Sequence, residues 1–77
     1  MSKLPLISSS QMEKILFHLG FEKVRQKGSH AFYRHQDGRS TTLAHHPGKI
    51  IARPLLREIL REIEIDVHQY NDLLRIL

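Results

Sequence analysis

The dipeptide Asp37-Gly38 constrains the fold of this 77-residue chain more than any other feature. It lies between residues 30–35, which are rich in aromatic side chains, and residues 40–45, which contain two threonines. Asp-Gly favours the positive φ angles that tight hairpin turns require. Residues 36–39 are therefore predicted to form a hairpin loop between two antiparallel strands.

A further strand is predicted just before this hairpin. Residues 21–26 form an extended segment in which Val24 is expected to face the core. Residues 27–29, with the sequence Lys-Gly-Ser, form the short turn that follows it. The three predicted strands make an antiparallel meander.

A first helix is predicted to precede the meander. Ser10 and Glu13 form a capping-box pattern, which indicates a helix over about residues 10–19. Its apolar residues recur at helical spacing: Met12, Ile15, Leu16 and Leu19. Gly20 ends this helix, because glycine tolerates the left-handed conformation common at helix C-termini.

Two more helices are predicted to follow the meander. Pro54 suits the first turn of a helix, and a broad apolar stripe comes after it: Leu55, Leu56, Ile59, Leu60 and Ile63. Asp66 can cap a last short helix of about residues 67–76. The sequence thus predicts an α+β fold in which helices cover one face of a three-stranded antiparallel sheet and leave the other face in water.

The length of the chain predicts one domain, residues 1–77, with one small core. The chain has no cysteine, so packing alone must stabilise it, and neither a disulfide nor a thiolate metal site is available. No apolar run approaches the roughly 20 residues of a membrane span. The apolar stretch near the N-terminus is too short for a signal peptide, so a cytoplasmic protein without membrane association is expected.

The positive charge is concentrated in the middle of the chain. Residues 21–53 contain seven lysines and arginines against two acidic residues, whereas residues 54–77 contain three against five. A basic segment of this kind suits the electrostatic footprint of a nucleic-acid-binding protein. A solvated surface that keeps a small protein soluble explains the same pattern.

The segment Gly28-Ser29-His30 carries the clearest chemical signal. A glycine turn places His30 at the start of an apolar strand, and imidazole exchanges protons near neutral pH. Three cations flank it in sequence: Arg25, Lys27 and Arg34. A proton-transfer group among cations is what RNA cleavage without a metal would need. A histidine that follows a glycine turn also occurs simply as a strand-edge residue.

The other histidines give weaker signals. His30 and His35 should face opposite sides of a strand, and so should His45 and His46. Neither pair can chelate one metal ion from a regular strand, so no metal site is expected. For His46 three alternatives stay open: it contacts RNA, it acts as a second proton-transfer group, or it has no functional role.

Phe32 and Tyr33 occupy adjacent strand positions and should point to opposite faces. One of them is then a core residue and the other lies on the open face. An exposed aromatic ring beside cations could stack on a base. Burial of both rings in a thin core is the alternative.

Several segments together form a specific combination for a chain this short. They are Leu19-Gly20-Phe21, residues 24–30 (Val-Arg-Gln-Lys-Gly-Ser-His), Arg34-His35, residues 46–49 (His-Pro-Gly-Lys) and residues 55–65. In these segments the chain resembles the HicA-type toxins of bacterial toxin–antitoxin pairs, also called the YcfA family, over nearly its whole length. It departs from that family's usual apolar residue or proline at Ala44-His45, and from its usual Gly-Thr start of the second helix at residues 52–54.

The resemblance implies a fold like a double-stranded-RNA-binding domain, with α-β-β-β-α order. It also implies a ribonuclease that cuts mRNA without the ribosome, with His30 in the position of the family's catalytic residue and without a cofactor. The implied partners are mRNA and a HicB-like antitoxin that covers the face carrying His30, and the free toxin is expected to be monomeric. From the chemistry and the motifs together, the residues expected to bind RNA are Arg25, Lys27, Gly28, Ser29, Arg34, His46 and Lys49.

Two other classes of function fit the same residues. The chain could be a non-catalytic RNA-binding module that uses the basic face, or an inert domain that only binds a partner. His30 distinguishes these classes, because a binding module would tolerate alanine there and a nuclease would not.

Overall fold

The computed structural model of this chain describes residues 3–77. Within them, three helices and three strands follow one another in the order α-β-β-β-α-α. The elements are α1 (Ser9–His18), β1 (Glu22–Lys27), β2 (His30–Arg34), β3 (Ser40–Ala44), α2 (Arg53–Glu62) and α3 (Val67–Ile76). The predicted α+β class is confirmed, and the arrangement is consistent with a double-stranded-RNA-binding-domain-like fold. The predicted domain of residues 1–77 includes residues 1 and 2, which lie outside the described range.

The three strands form one antiparallel sheet in the order β1-β2-β3, so that β2 is the central strand. A two-residue turn joins β1 to β2, and its first residue, Gly28, has a φ of 59°. The Asp37-Gly38 loop joins β2 to β3, and Gly38 has a φ of 102°. The predicted meander and both of its turns are confirmed.

The cap of α1 differs from the prediction. Ser8 is the N-cap, since its Oγ accepts a hydrogen bond from the Gln11 N–H at 3.2 Å and the Gln11 side chain accepts one from the Ser8 N–H at 2.9 Å. The predicted box of Ser10 and Glu13 was wrong, because the serine run offers the same spacing in two registers. The Ser8 register leaves the Glu13 carboxylate available to the sheet. Gly20 ends the helix as predicted.

The prediction that Val24 faces the core was also wrong. Val24 is 55% exposed, and every residue of β1 is exposed. The pairing of β1 with β2 shifts between Lys23 and Arg25, which leaves Val24 in a β-bulge without a cross-strand partner. Phe21, just before the strand, fills the core in its place and is 2% exposed.

The last two helices begin as predicted. Pro54 lies in the first turn of α2, and Asp66 caps α3 by accepting a hydrogen bond from the Gln69 N–H at 2.8 Å. Leu55, predicted to belong to the apolar stripe, is instead 45% exposed. No helix within residues 3–77 is long and apolar enough to cross a membrane.

The core lies between one face of the sheet and the helices. Residues of β2 and β3 alternate in burial, so that Ala31, Tyr33 and Leu43 point inward. The helices contribute their buried apolar residues to the same core cluster: Met12, Ile15, Leu16, Leu56, Ile59, Leu60, Tyr70 and Leu73. The opposite face of the sheet carries exposed and half-buried side chains, as predicted, and every residue proposed from sequence on β1 and β2 for contact with RNA is exposed.

Candidate functional site

His30 is the first residue of β2 and lies at one end of the central strand. It pairs with Lys27 of β1 on one side and with Ala44 of β3 on the other. Its side chain is exposed, and no hydrogen bond or ion pair joins its imidazole to another side chain within residues 3–77. Both ring nitrogens are therefore available to a bound ligand.

Gly28 forms the turn that presents His30. Its φ of 59° lies in the left-handed region that residues with a Cβ rarely adopt, although no atom lies within 4 Å of where a Cβ would be. Backbone conformation, and not space, is therefore what requires glycine here. A positive φ at the first residue of a two-residue hairpin is typical of type II′ turns.

The strand register places most of the predicted RNA-binding residues on one surface. We call this surface, opposite the helices, the open face. Cross-strand neighbours share a face, so the open face has three rows of side chains, which are Lys27–His30–Ala44, Arg25–Phe32–Thr42 and Glu22–Arg34–Ser40. The structure thus brings three predicted cations to the same side as His30, with Glu22 as the one acidic side chain in these rows.

Phe32 lies in the middle row of the open face and is half-buried. The guanidinium carbon of Arg25 is 4.6 Å from the centroid of its ring. Tyr33, the next residue, points to the core and is 1% exposed. The prediction that the two aromatic residues face opposite sides is confirmed.

A groove of about 430 Å³ opens beside this ring. The open-face side chains that line it are Arg25, Phe32, Arg34, Ser40 and Thr42. Val24, Tyr33, Thr41 and Glu62 complete the lining, so the walls combine aromatic, guanidinium and hydroxyl groups with one carboxylate. Such a surface offers a planar contact and several hydrogen-bond donors to a ligand.

The predicted residues His46 and Lys49 lie in the loop after β3, where both are exposed. Together with Ala44 they line a second cavity, of about 170 Å³. Ala44 is the cross-strand partner of His30, so this cavity begins in the same row as His30. Contact of His46 and Lys49 with RNA stays a prediction.

A polar cluster that the sequence did not indicate lies on the helix side of the sheet. The Tyr33 hydroxyl donates a hydrogen bond to Glu13 Oε2 and lies 2.8 Å from His45 Nε2. Lys23 Nζ is 3.0 Å from the same Glu13 oxygen, and His45 Nε2 is 3.6 Å from it. We call these four residues, Glu13, Lys23, Tyr33 and His45, the inner polar cluster.

Electrostatics within the inner polar cluster favour an ionised Glu13. Burial raises the pKa of the Glu13 carboxyl, but hydrogen bonds from Tyr33 and Lys23 and the charge of Lys23 outweigh it, so the net pKa is lowered. Burial and the adjacent carboxylate raise the pKa of the Tyr33 hydroxyl. Tyr33 therefore stays protonated and acts as a donor to Glu13.

Two other histidines lie on the helix side of the sheet. His45 turns towards the helices, and its backbone N–H donates to the Ser29 carbonyl at 2.7 Å. His35 Nε2 lies 3.1 Å from the Leu19 carbonyl oxygen, and the ring packs edge-on against Phe21 at 5.1 Å. His35 is thus a packing residue at the end of α1. The prediction that His30 and His35 face opposite sides is confirmed.

One signal in the sequence could have located part of this cluster. A buried tyrosine hydroxyl requires a hydrogen-bond partner, and Glu13 was available once Ser8 had become the N-cap. The identity of the partner still depends on packing between residues 20 positions apart. Within residues 3–77, no group of three or more histidine and carboxylate side chains is arranged to hold a metal ion.

Fold and site together define a small α+β protein whose exposed sheet face carries a histidine among cations. Residues 9–65 match the family model described as HicA toxin of bacterial toxin–antitoxin systems. This match spans α1, the sheet and α2, and the chain belongs to the HicA toxin family. A search of curated proteins found no match. Membership in a family of toxins from toxin–antitoxin pairs implies an antitoxin partner.

Proposed function

We propose that this chain is an endoribonuclease toxin that cuts mRNA independently of the ribosome, with His30 as its catalytic residue. The observation that carries the proposal is the exposed His30 imidazole, held by the Gly28 turn at the edge of a cationic sheet face. Family membership supports the assignment as a toxin, and the chemistry of His30 supports the assignment as a nuclease. Because its substrate would be mRNA, we expect the protein to act in the cytoplasm.

The chemistry follows from the RNA itself. The 2′-hydroxyl attacks the adjacent phosphorus, and the bond to the departing 5′-oxygen breaks. A neutral His30 can remove the 2′ proton, or a protonated His30 can donate a proton to the leaving oxygen, and such catalysis typically contributes about 10²- to 10⁴-fold. No metal-bound water is needed in this scheme, so cleavage is expected to persist in excess EDTA.

The cations of the open face would hold the phosphates. Lys27 shares a row with His30, and Arg25 and Arg34 lie in the two rows beyond it. Positive charge beside the reacting phosphate stabilises the negative charge that builds on its oxygens. The backbone N–H groups of Gly28 and Ser29 provide further donors at the turn. His46 and Lys49 would extend the contact along the second cavity.

A HicB-like antitoxin would silence the toxin by covering the open face. This face carries Arg25, Lys27 and Arg34 against Glu22, so the partner's contact surface is expected to be acidic. Complementary charge speeds association and suppresses wrong partners. The antitoxin and RNA would then compete for the same cations, and the toxin, monomeric when free, would keep its fold in the complex.

A non-catalytic RNA-binding module is the second candidate. The half-buried Phe32 with Arg25 over its ring favours it, because such a surface binds RNA whether or not His30 reacts. Growth on induction separates the candidates. Induced wild-type protein should arrest growth, and the His30→Ala variant should not. Equal arrest by both would favour the binding module.

A further inference from the structure

We propose that the groove beside Phe32 is a nucleobase subsite, in which one base of single-stranded RNA stacks against the Phe32 ring and the Arg25 guanidinium. This inference rests on the proposed function, since it assigns a place to the substrate of that same face. In this proposal the open face binds a base of the RNA as well as the phosphates that its cations contact.

The geometry of Phe32 and Arg25 is the first support. The guanidinium carbon of Arg25 lies over the Phe32 ring, 4.6 Å from its centroid, and both planar groups line the groove. Unpaired bases stack on aromatic rings and on guanidinium planes. Lys23 points to the helix side, where it pairs with Glu13. In a regular strand Arg25, two residues later, would point the same way. The bulge at Val24 shifts the alternation by one residue, so Arg25 lies on the open face beside Phe32.

The shape and lining of the groove are the second support. Its volume of about 430 Å³ falls in the range of small-ligand sites, about 300–1,000 Å³. Thr42, Ser40 and Arg34 line the groove with hydroxyl and guanidinium groups, and Glu62 adds one carboxylate. Hydroxyl and guanidinium groups can bind the edge of a base while the ring contacts its face.

The position of the groove relative to His30 is the third support. Phe32 follows His30 by two residues on the same face of β2, which separates the two positions by about 7 Å. A base in the groove would therefore belong to a nucleotide next to the phosphate at His30. Because the base must leave its helical stack to enter, duplex RNA is expected to be a poor substrate.

Fluorescence of 2-aminopurine tests the subsite directly, because this base is quenched when it stacks. The His30→Ala protein is used so that the RNA stays intact, and 2-aminopurine is placed in turn at each position of a short single-stranded RNA. Quenching is expected at one position, and an additional Phe32→Leu change should abolish it. RNA affinity should fall roughly 5- to 150-fold with Phe32→Leu, which corresponds to the loss of one stacked base.

Phe17→Leu is the matched control. Phe17 is 49% exposed on α1, and its ring lies 6.0 Å from that of Tyr33 on the helix side of the sheet. This variant should bind RNA like the His30→Ala parent. An abasic nucleotide at the quenched position gives a check that needs no change to the protein, and it should weaken binding as much as Phe32→Leu does.

The outcomes separate this inference from the function on which it rests. If wild-type protein cleaves the RNA and His30→Ala binds it, but no position is quenched and the abasic nucleotide causes no loss of affinity, the subsite is refuted and the proposed nuclease function is not. Equal RNA affinity of folded Phe32→Leu and Phe17→Leu would overturn it as well. If neither the wild-type protein nor any variant binds RNA, the subsite and the proposed function are both refuted.

Discussion

The Tyr33 hydroxyl lies 2.8 Å from His45 Nε2 and donates a hydrogen bond to Glu13. These contacts tie the central strand to α1 and to the residue that follows β3. The backbone N–H of His45 also holds the Ser29 carbonyl, immediately before His30. The inner polar cluster thus fixes, from the helix side, the turn that presents His30 on the open face.

Removal of the Tyr33 hydroxyl should destabilise the protein. Tyr33→Phe removes the hydrogen bond that the half-buried Glu13 carboxylate accepts and leaves Lys23 as a remaining partner of that carboxylate. A hydrogen bond to a charged group contributes about 1.5 to 3 kcal/mol to the free energy of unfolding. Urea denaturation measures the loss. Glu58→Gln is the control, because it removes only a surface ion pair with Arg61 and should leave stability close to that of wild type. Equal stability of Tyr33→Phe and wild type would show that the contact contributes nothing.

Glu13 should make stability depend on acid pH. Its pKa is lowered below the ordinary value of 4.5 in the folded state, since the hydrogen bonds from Tyr33 and Lys23 outweigh burial. A lowered folded pKa contributes stability that is fully present above the unfolded pKa and is lost as pH falls through the folded pKa. The stability advantage of wild type over Glu13→Gln should therefore stay constant from about pH 7 to about pH 5.5 and shrink as the pH falls below the unfolded value of 4.5. A difference that stays constant below pH 4.5 as well would contradict the assignment.

The cations of the open face should make RNA binding sensitive to salt. If Lys27 contacts a phosphate, Lys27→Gln should shallow the slope of log affinity against log salt by about 0.7 for single-stranded RNA. Arg57→Gln is the matched control, because Arg57 is exposed on α2, away from the open face, and its slope should equal that of wild type. A flat salt dependence of the wild-type protein would assign the basic segment to solubility or to the antitoxin.

Antitoxin binding should protect the open face in hydrogen exchange. Backbone amides around residues 25–35 are expected to exchange more slowly in the complex, because the antitoxin covers β1 and β2 and excludes water. The comparison is made with and without the antitoxin on the same full chain. Protection confined to residues 55–77, in the more acidic C-terminal part, would show that inhibition works from another surface.

Local signals in the sequence were sufficient to predict most of the fold. The glycine turns at Gly28 and Gly38 and the cap at Asp66 act over a few residues, so the meander and α3 follow from neighbouring positions. Val24 was misassigned because a bulge on an edge strand depends on pairing with β2, which no local pattern reports. The cap of α1 was misassigned because Ser8 and Ser10 offer the same spacing.

Part of the site could be predicted because it, too, depends on local patterns. Strand alternation is local, and it placed His30 and His35 on opposite faces and separated Phe32 from Tyr33. The inner polar cluster was not predicted because its contacts join residues 10 to 32 positions apart, which only the packed fold brings together. The groove beside Phe32 likewise needs the register of all three strands.

The most direct test of the account is RNA cleavage by purified His30→Ala. Its exposed side chain contributes nothing to the core, so the variant should unfold at the wild-type temperature, while cleavage of single-stranded RNA falls by about 10²- to 10⁴-fold. His18→Ala, which removes an exposed histidine at the end of α1, should cleave like wild type. Cleavage at the wild-type rate by folded His30→Ala would contradict the central claim.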